Sequence, residues 1–483
     1  MSEILFQYHK IDPTTWVYLS SLLMICVFFK FNRIWSVRNL DLILLILFAP
    51  GLLMVNQSRL AQSTAKKAAV AATTPNSQAG GPAISPDVAT RLESLKRTEY
   101  LGYLWLLCVS AVWLVRMLLD PTMIRRPLLE PNLSNGGLSF MGCALFVFLM
   151  ANVLTSDVSP DDLAGAEGAK SLMERRDRTT DNGQPAEYLR QGHGPGFYFL
   201  HLLPSIPTHP FIRGDHGRPE RVFALVAKSM AIASHLAVVA ALVTIGYWHF
   251  ENIKMGIGAA ALYLMLPYTA QMTGHVDHVL PAALLLWAVV LYRRPGLAGM
   301  FIGLALSVFY YPLFLLPLWI SFYWQRGLAR FLIGALGSVA VMVLSLVFVS
   351  KDLASFWDKF QPMFALWIPY MRDLKGIWGP GWWDPWYRLP VIACCVALAG
   401  GLAIWPSHKN LGTLLSCSAA MMVAVQFWHG FGDGGGMYMA WYLPLMLMTV
   451  FRPNLEDRVA LTVLGEGWFL RRRARLAQLG RAA

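Results

Sequence analysis

The sequence predicts an all-α, polytopic helical membrane protein. Hydrophobic residues make up 56% of the chain and charged ones only 14%, where a soluble domain carries about a quarter charged residues. Apolar runs near the ~20 residues needed to cross the hydrocarbon core recur along its whole length. Segments of alternating polarity with turn signals are missing, which argues against a β-barrel.

Taken in order, the apolar runs place about thirteen membrane segments. They fall near 16–31, 40–55, 99–119, 138–155, 222–249, 256–271, 278–292, 296–310, 311–324, 328–350, 389–405, 411–427 and 437–452. Residues 1–55 form an N-terminal pair of spans. Residues 56–98, rich in Ala, Ser, Thr, Pro and Gly without a core pattern, read as a flexible extracytoplasmic linker. Residues 99–460 form the core, with a large first loop at 156–221, and residues 461–483 form a basic tail. Within that tail, Leu470–Leu479 reads as an amphipathic helix on the lipid surface. The six cysteines lie inside apolar runs without metal spacing and read as packing residues. Phe29-Lys30-Phe31-Asn32-Arg33, after the first span, lacks the small-residue pattern of a cleaved signal peptide.

The net charge of +12 gathers in Lys30/Arg33/Arg38, Arg116/Arg125/Arg126, Arg293/Arg294, Arg326/Arg330 and Arg471-Arg472-Arg473-Ala474-Arg475. Strict alternation of the segments puts all of these clusters on the cytoplasmic side, with the N-terminus outside and the C-terminus inside. The basic excess therefore reads as topology and contact with anionic lipid in a plasma membrane, a bacterial inner membrane being the expected setting. No nucleic-acid partner is expected. The stretch between Arg293/Arg294 and Arg326/Arg330 is short for two full spans. Two helices of about 14 residues reach only ~21 Å each, which predicts a hairpin whose apex is Tyr310-Tyr311-Pro312. With this topology the chemically unusual segments all face outside.

Foremost among these is Gly274-His275-Val276-Asp277-His278, wedged between two apolar runs. Ionisable groups at membrane depth cost roughly 2.5 kcal/mol or more each and usually line a cavity with a function. His275 and His278 share a face if helical. As a metal site the cluster is incomplete in sequence, needing further ligands from elsewhere. Polar contacts to a donor or acceptor and plain interfacial solvation are the other readings. No metal ligand set and no cofactor is assigned, and a divalent metal is left open. In the first loop, Asp157, Asp161 and Asp162 follow a span directly. Carboxylates there can serve as a general base toward a hydroxyl, or simply cap a helix and face water.

Further along the loop, Arg190 and His193 precede Gly194-Pro195-Gly196, where Pro195 suits the first position of a surface helix. The loop 376–387 holds four tryptophans around Asp384; they suit sugar stacking or an interfacial aromatic belt. His429 and Asp433 stand in a glycine-rich run before the last segment. No phosphate loop, zinc motif, nucleophile elbow or dinucleotide fingerprint occurs.

The run Gly274–His278, Arg293-Arg294, Leu297-Ala298-Gly299, Gly303-Leu304-Ala305, Tyr310-Tyr311-Pro312-Leu313 and Leu316-Pro317-Leu318 resembles the central block of GT-C fold membrane glycosyltransferases. Within that fold it is similar to the polyprenol-phosphate-mannose-dependent mannosyltransferase family. Gly194–Leu200 resembles that group's outer-loop signature, and Tyr438–Leu445 its closing span. The resemblance covers roughly 138–452. It implies a GT-C-like fold and inverting transfer of a mannose-like hexose on the outer face. The donor would be a polyprenyl-phosphate-linked sugar, and the acceptor a glycan, lipid or protein. A first-loop aspartate would act as base, a role that falls on Asp161 or Asp162 with Asp157 behind them. His193, Arg190, His275, Asp277, His278, Tyr310, Tyr311, Asp384, His429 and Asp433 are the candidate contacts to donor and acceptor. The sequence departs from the pattern at Phe309, near the place of a basic residue before the Tyr-Pro; Arg190, Arg213 or His275 would have to supply that charge. A transporter or lipid flippase, and an inactive member of the same fold, are the alternative readings.

Overall fold

The computed structural model describes residues 12–72, 86–123, 128–173, 193–212, 219–360, 374–379, 381–430 and 434–453. The described elements are helical, apart from one isolated bridge between Gly376 and Gly435. In chain order the helices are α1 Pro13–Phe28, α2 Val37–Ile46, α3 Phe48–Ala72, α4 Pro86–Leu119, α5 Asn135–Thr155 and α6 Pro160–Met173. They continue with α7 Pro195–Ile212, α8 Pro219–Trp248, α9 Ile253–Met265, α10 Pro267–Gln271, α11 Val276–Val290 and α12 Pro295–Val308. The last six are α13 Leu316–Tyr323, α14 Leu328–Val349, α15 Leu353–Phe360, α16 Arg388–Ile404, α17 Leu411–Gln426 and α18 Leu443–Phe451.

Among the described residues, six stretches are long and apolar enough to cross a membrane: Val37–Ala68, Asp87–Thr122, Asn135–Thr155, Arg221–Trp248, Leu328–Val349 and Pro385–Ile404. The chain is therefore a polytopic, all-α membrane protein. Of the shorter apolar helices, α9, α11 and α17 sit inside, whereas α1 exposes Tyr18, Leu19 and Leu22. All of α17 is buried, as is α9 from Met255 to Met265 save Ile257, whereas only 17% of the span Leu328–Val349 is. A helix apolar on every side must be covered by protein or by lipid, and α17 and α14 stand at the two extremes.

Two expectations change in the fold. Residues 56–72 belong to α3 and residues 86–98 to α4, so the stretch expected as a linker is helical on both sides of 73–85. Alanine is the strongest helix former, and a composition that lacks a core pattern still propagates a helix begun in the membrane. Arg59 and Gln62 of α3 hold Glu99 of α4 at 3.1 and 2.8 Å, which ties the two extensions together. The segment expected at 256–271 is broken: Pro267 begins a separate short helix after Leu266. Proline cannot donate to the turn before it, and the interruption opens the loop that carries Gly274 and His275. The expected surface helix at Leu470–Leu479 and the clusters at Arg125 and Arg471 lie outside the described residues.

The hairpin expected between Arg293 and Arg330 is present. α12 stops at Val308, Phe309 is extended, and a 3-10 turn over Tyr311–Leu315 leads into α13. The Tyr323 hydroxyl donates to the Tyr292 carbonyl at 2.6 Å, so the two feet of the hairpin stand together. Its first arm is clamped to α14 by small residues. A Cβ on Gly299 would lie 2.1 Å from the Phe331 carbonyl oxygen, and one on Gly303 would lie 2.3 Å from that of Ala335. Such close backbone approach replaces the hydrophobic drive that helices lack in lipid.

At the end of the bundle where α4 finishes, charges are buried in pairs. Arg116 grips both oxygens of Asp41 at 2.9 and 3.0 Å and reaches Asp120 at 3.2 Å. The other oxygen of Asp120 takes Arg452. Arg38 caps the carbonyls of Phe28, Leu128 and Glu130 at 2.9–3.0 Å.

Candidate functional site

The site begins where α5 ends. Ser159-Pro160 opens α6, and the Ser159 hydroxyl both accepts from the Asp162 backbone N–H and donates to Asp162 Oδ2 at 2.7 Å. Serine before proline is a good helix entry, and a carboxylate in the first turn suits the positive end of the helix. That arrangement leaves Asp162 Oδ1 facing away from its own helix, 2.9 Å from His275 Nδ1. His275 is the N-cap residue of α11, and Asp277 occupies its first turn. The first-loop carboxylate and the Gly274–His278 motif, more than a hundred residues apart in sequence, thus meet.

Asp277 is fixed from the opposite side. Its Oδ2 accepts from the Tyr438 hydroxyl at 3.1 Å, and its backbone oxygen accepts from Trp441 Nε1 at 3.1 Å. His278 is fully buried: Tyr268 of α10 hydrogen-bonds its Nδ1, its Nε2 is 4.0 Å from Asp277 Oδ2, and its ring stacks on Tyr438 at 4.2 Å. From Tyr438 an aromatic wall continues. His429 lies 4.6 Å from Tyr438 and 4.7 Å from Tyr311, while Tyr310 lies 4.1 Å from Tyr311. The expected apex of the hairpin therefore joins the same cluster.

His193 closes another side. The Gly194 N–H donates to the Val308 carbonyl at 2.8 Å, and a Cβ on Gly194 would stand 2.2 Å from the Ser307 oxygen. Only glycine admits this approach, and it brings His193 onto Phe309 at 4.8 Å and Phe197 at 4.1 Å. Among the described residues neither ring nitrogen of His193 has a hydrogen-bond partner, although the residue is buried. Burial, helped by His201 and His278, pushes its imidazole down to about 3. A buried unsatisfied polar group is uncommon and calls for a reason. Phe309 itself is buried between His193 and Trp441.

Not every expected residue joins. Asp157 is exposed, and Asp384 is exposed and caps the turn Pro385–Tyr387 by accepting from the Trp386 N–H at 3.0 Å. Trp382 stacks on Tyr100 at 4.2 Å, so the tryptophan loop rests against α4. Asp161 lies in the first turn of α6, and its backbone alone is described. Arg190, Arg213 and Asp433 lie outside the described residues. Three residues that sequence reasoning left aside do belong: Tyr268, Tyr438 and Arg388. Arg388 is buried at the start of α16, donates to the Trp428 carbonyl at 3.0 Å, and lies within electrostatic reach of Tyr310 and Tyr311. A lone arginine opening an apolar span was its one visible sign.

Chemically, the arrangement offers two carboxylates, the four imidazoles of His193, His275, His278 and His429, and a row of aromatic rings. Asp162, His275 and Asp277 each offer one ligand atom, all within 4.8 Å of one another, a group that could hold a divalent metal ion. No protein-family model and no curated protein matches the chain.

Proposed function

We propose that this protein is an inverting membrane glycosyltransferase of the GT-C type. It would move one mannose-like hexose from a polyprenyl-phosphate donor to a glycan, lipid or protein acceptor on the extracytoplasmic face of a bacterial inner membrane. The observation that carries this reading is the meeting of Asp162, from the first loop, with His275 and Asp277 from the motif at the start of α11. Sugar transfer from a lipid phosphate needs a carboxylate outside, polar groups for hydroxyls and phosphate, and rings on which a hexose can lie. The Asp162–His275–Asp277 cluster supports the first two needs, and the buried rings of Tyr438, His429, Tyr311 and Tyr310 pack beside it.

In the proposed reaction a first-loop carboxylate, Asp161 or Asp162 with Asp157 behind them, takes the proton of the acceptor hydroxyl. The hydroxyl oxygen then bonds to the anomeric carbon as the bond from that carbon to the phosphate oxygen breaks, and the lipid phosphate leaves with the electron pair. General-base assistance is worth about 10²–10⁴-fold. Membranes holding the protein, given a radiolabelled polyprenyl-phosphate mannose, should form a labelled product. Asp161→Asn or Asp162→Asn should lower the rate by about a hundredfold or more. Unchanged transfer in Asp157→Asn, Asp161→Asn and Asp162→Asn, singly and combined, would sink the mechanism. Movement of the labelled lipid across proteoliposomes without a covalent product would assign a flippase instead.

A further inference from the structure

We infer that Asp162, His275 and Asp277 bind one divalent metal ion, with Mn²⁺ or Zn²⁺ preferred over Mg²⁺. The spacing is the first reason. Two ligands about 2.1 Å from a metal and at right angles to each other stand about 3 Å apart. Asp162 Oδ1 and His275 Nδ1 are 2.9 Å apart, and the Asp277 ligand atom completes a triangle no wider than 4.8 Å.

Support around the ligands is the second reason. Metal-ligating groups are characteristically oriented by hydrogen bonds from outside the coordination sphere. The Ser159 hydroxyl holds Asp162 by its Oδ2, leaving Oδ1 toward His275. Tyr438 and Trp441 pin the carboxylate and the backbone oxygen of Asp277.

Charge and access give the third. Two carboxylates this close repel, and a dication between them offsets that repulsion. The side chains of His275, Asp162 and Asp277 are 31, 9 and 19% exposed, so an ion can reach the cluster from solvent. Two carboxylates and an imidazole suit Mn²⁺ or Zn²⁺, while Mg²⁺ keeps to oxygen and water.

One consequence rests on the glycosyltransferase reading. The ion supplies positive charge toward the donor phosphate in a chain that carries Phe309 near the place of a basic residue. With Asp162 a ligand, the proton of the acceptor passes to Asp161 or Asp157.

Titration of the purified, chelator-stripped protein in detergent with Mn²⁺, read by the loss of the free-ion electron paramagnetic resonance signal, tests the site without any activity. One equivalent should bind per chain. Asp162→Asn, His275→Gln and Asp277→Asn should each weaken binding at least tenfold, and Tyr438→Phe, which keeps all three ligands, by about tenfold. Asp157→Asn and Asp384→Asn should bind as the native protein does. Absence of stoichiometric Mn²⁺ and Zn²⁺ binding, or native affinity in Asp277→Asn, overturns the proposal. Transfer by metal-free protein that binds no ion would overturn it while leaving the glycosyltransferase reading intact. Stoichiometric binding in a protein without transfer activity would support the site and count against that reading.

Discussion

The two ends of the bundle both bury charge, and they do so in opposite ways. At one end each oxygen of Asp41 and Asp120 is taken by a guanidinium, from Arg116 or Arg452, and the Asp120 side chain is wholly enclosed. At the other, Asp162 and Asp277 face a histidine and each other, receive neutral hydroxyl donors, and stay partly exposed. The first is a closed network of paired charges; it joins α2, α4 and the residue after α18. The second brings two carboxylates and a histidine within 4.8 Å of one another. Buried ion pairs are weak evidence of function, because they also hold structures together. The contrast teaches that the kind of donor a carboxylate receives and its access to solvent, and not burial of charge as such, mark the candidate site.

The sharpest way to break that contrast is to cut both ends. Asp120→Ala leaves Arg116 and Arg452 buried against one carboxylate fewer and should cost about 3–5 kcal/mol. Asp277→Asn keeps an acceptor for Tyr438 and should change stability by no more than about 1 kcal/mol. Equilibrium unfolding in detergent measures both; equal losses would erase the distinction. A smaller effect concerns His193, whose imidazole falls from 6.5 when unfolded to about 3 in the fold. Between those values the unfolded chain takes up a proton that the folded one refuses, so this contribution is present at neutral pH and is lost as pH falls. Cooling of stability between pH 7 and 5 should be shallower in His193→Phe by up to about 2 kcal/mol. Identical slopes in the two proteins would show that His193 is not held neutral. Smallest is Asp384→Ala, which removes a cap and should cost about 1 kcal/mol. A collapse of sugar transfer in that variant, with stability preserved, would bring the tryptophan loop into the site.

Much of the molecule was legible before folding because membranes impose a simple rule. Apolar length announces a helix wherever it occurs, and the described elements are helical, several of them long and apolar. The rule misread the ends. The Ala-rich run past Met54 lacked a hydrophobic pattern yet continues α3, because propensity extends a helix that the bilayer has already nucleated. The break at Pro267 was hidden inside a continuous apolar run.

The candidate site divides in the same manner. Composition and local pattern by themselves determined a helical membrane protein, the oddity of His275-Val276-Asp277-His278 and the first-loop carboxylates. Tertiary structure alone decided that Asp162, and not the exposed Asp157, reaches His275, that Tyr438 and Tyr268 complete the cluster, and that Asp384 only caps a turn. The reason is physical. The cost of placing a polar group in a membrane is a property of the residue and its neighbours in sequence, whereas its compensation comes from whichever distant helix the packing brings alongside.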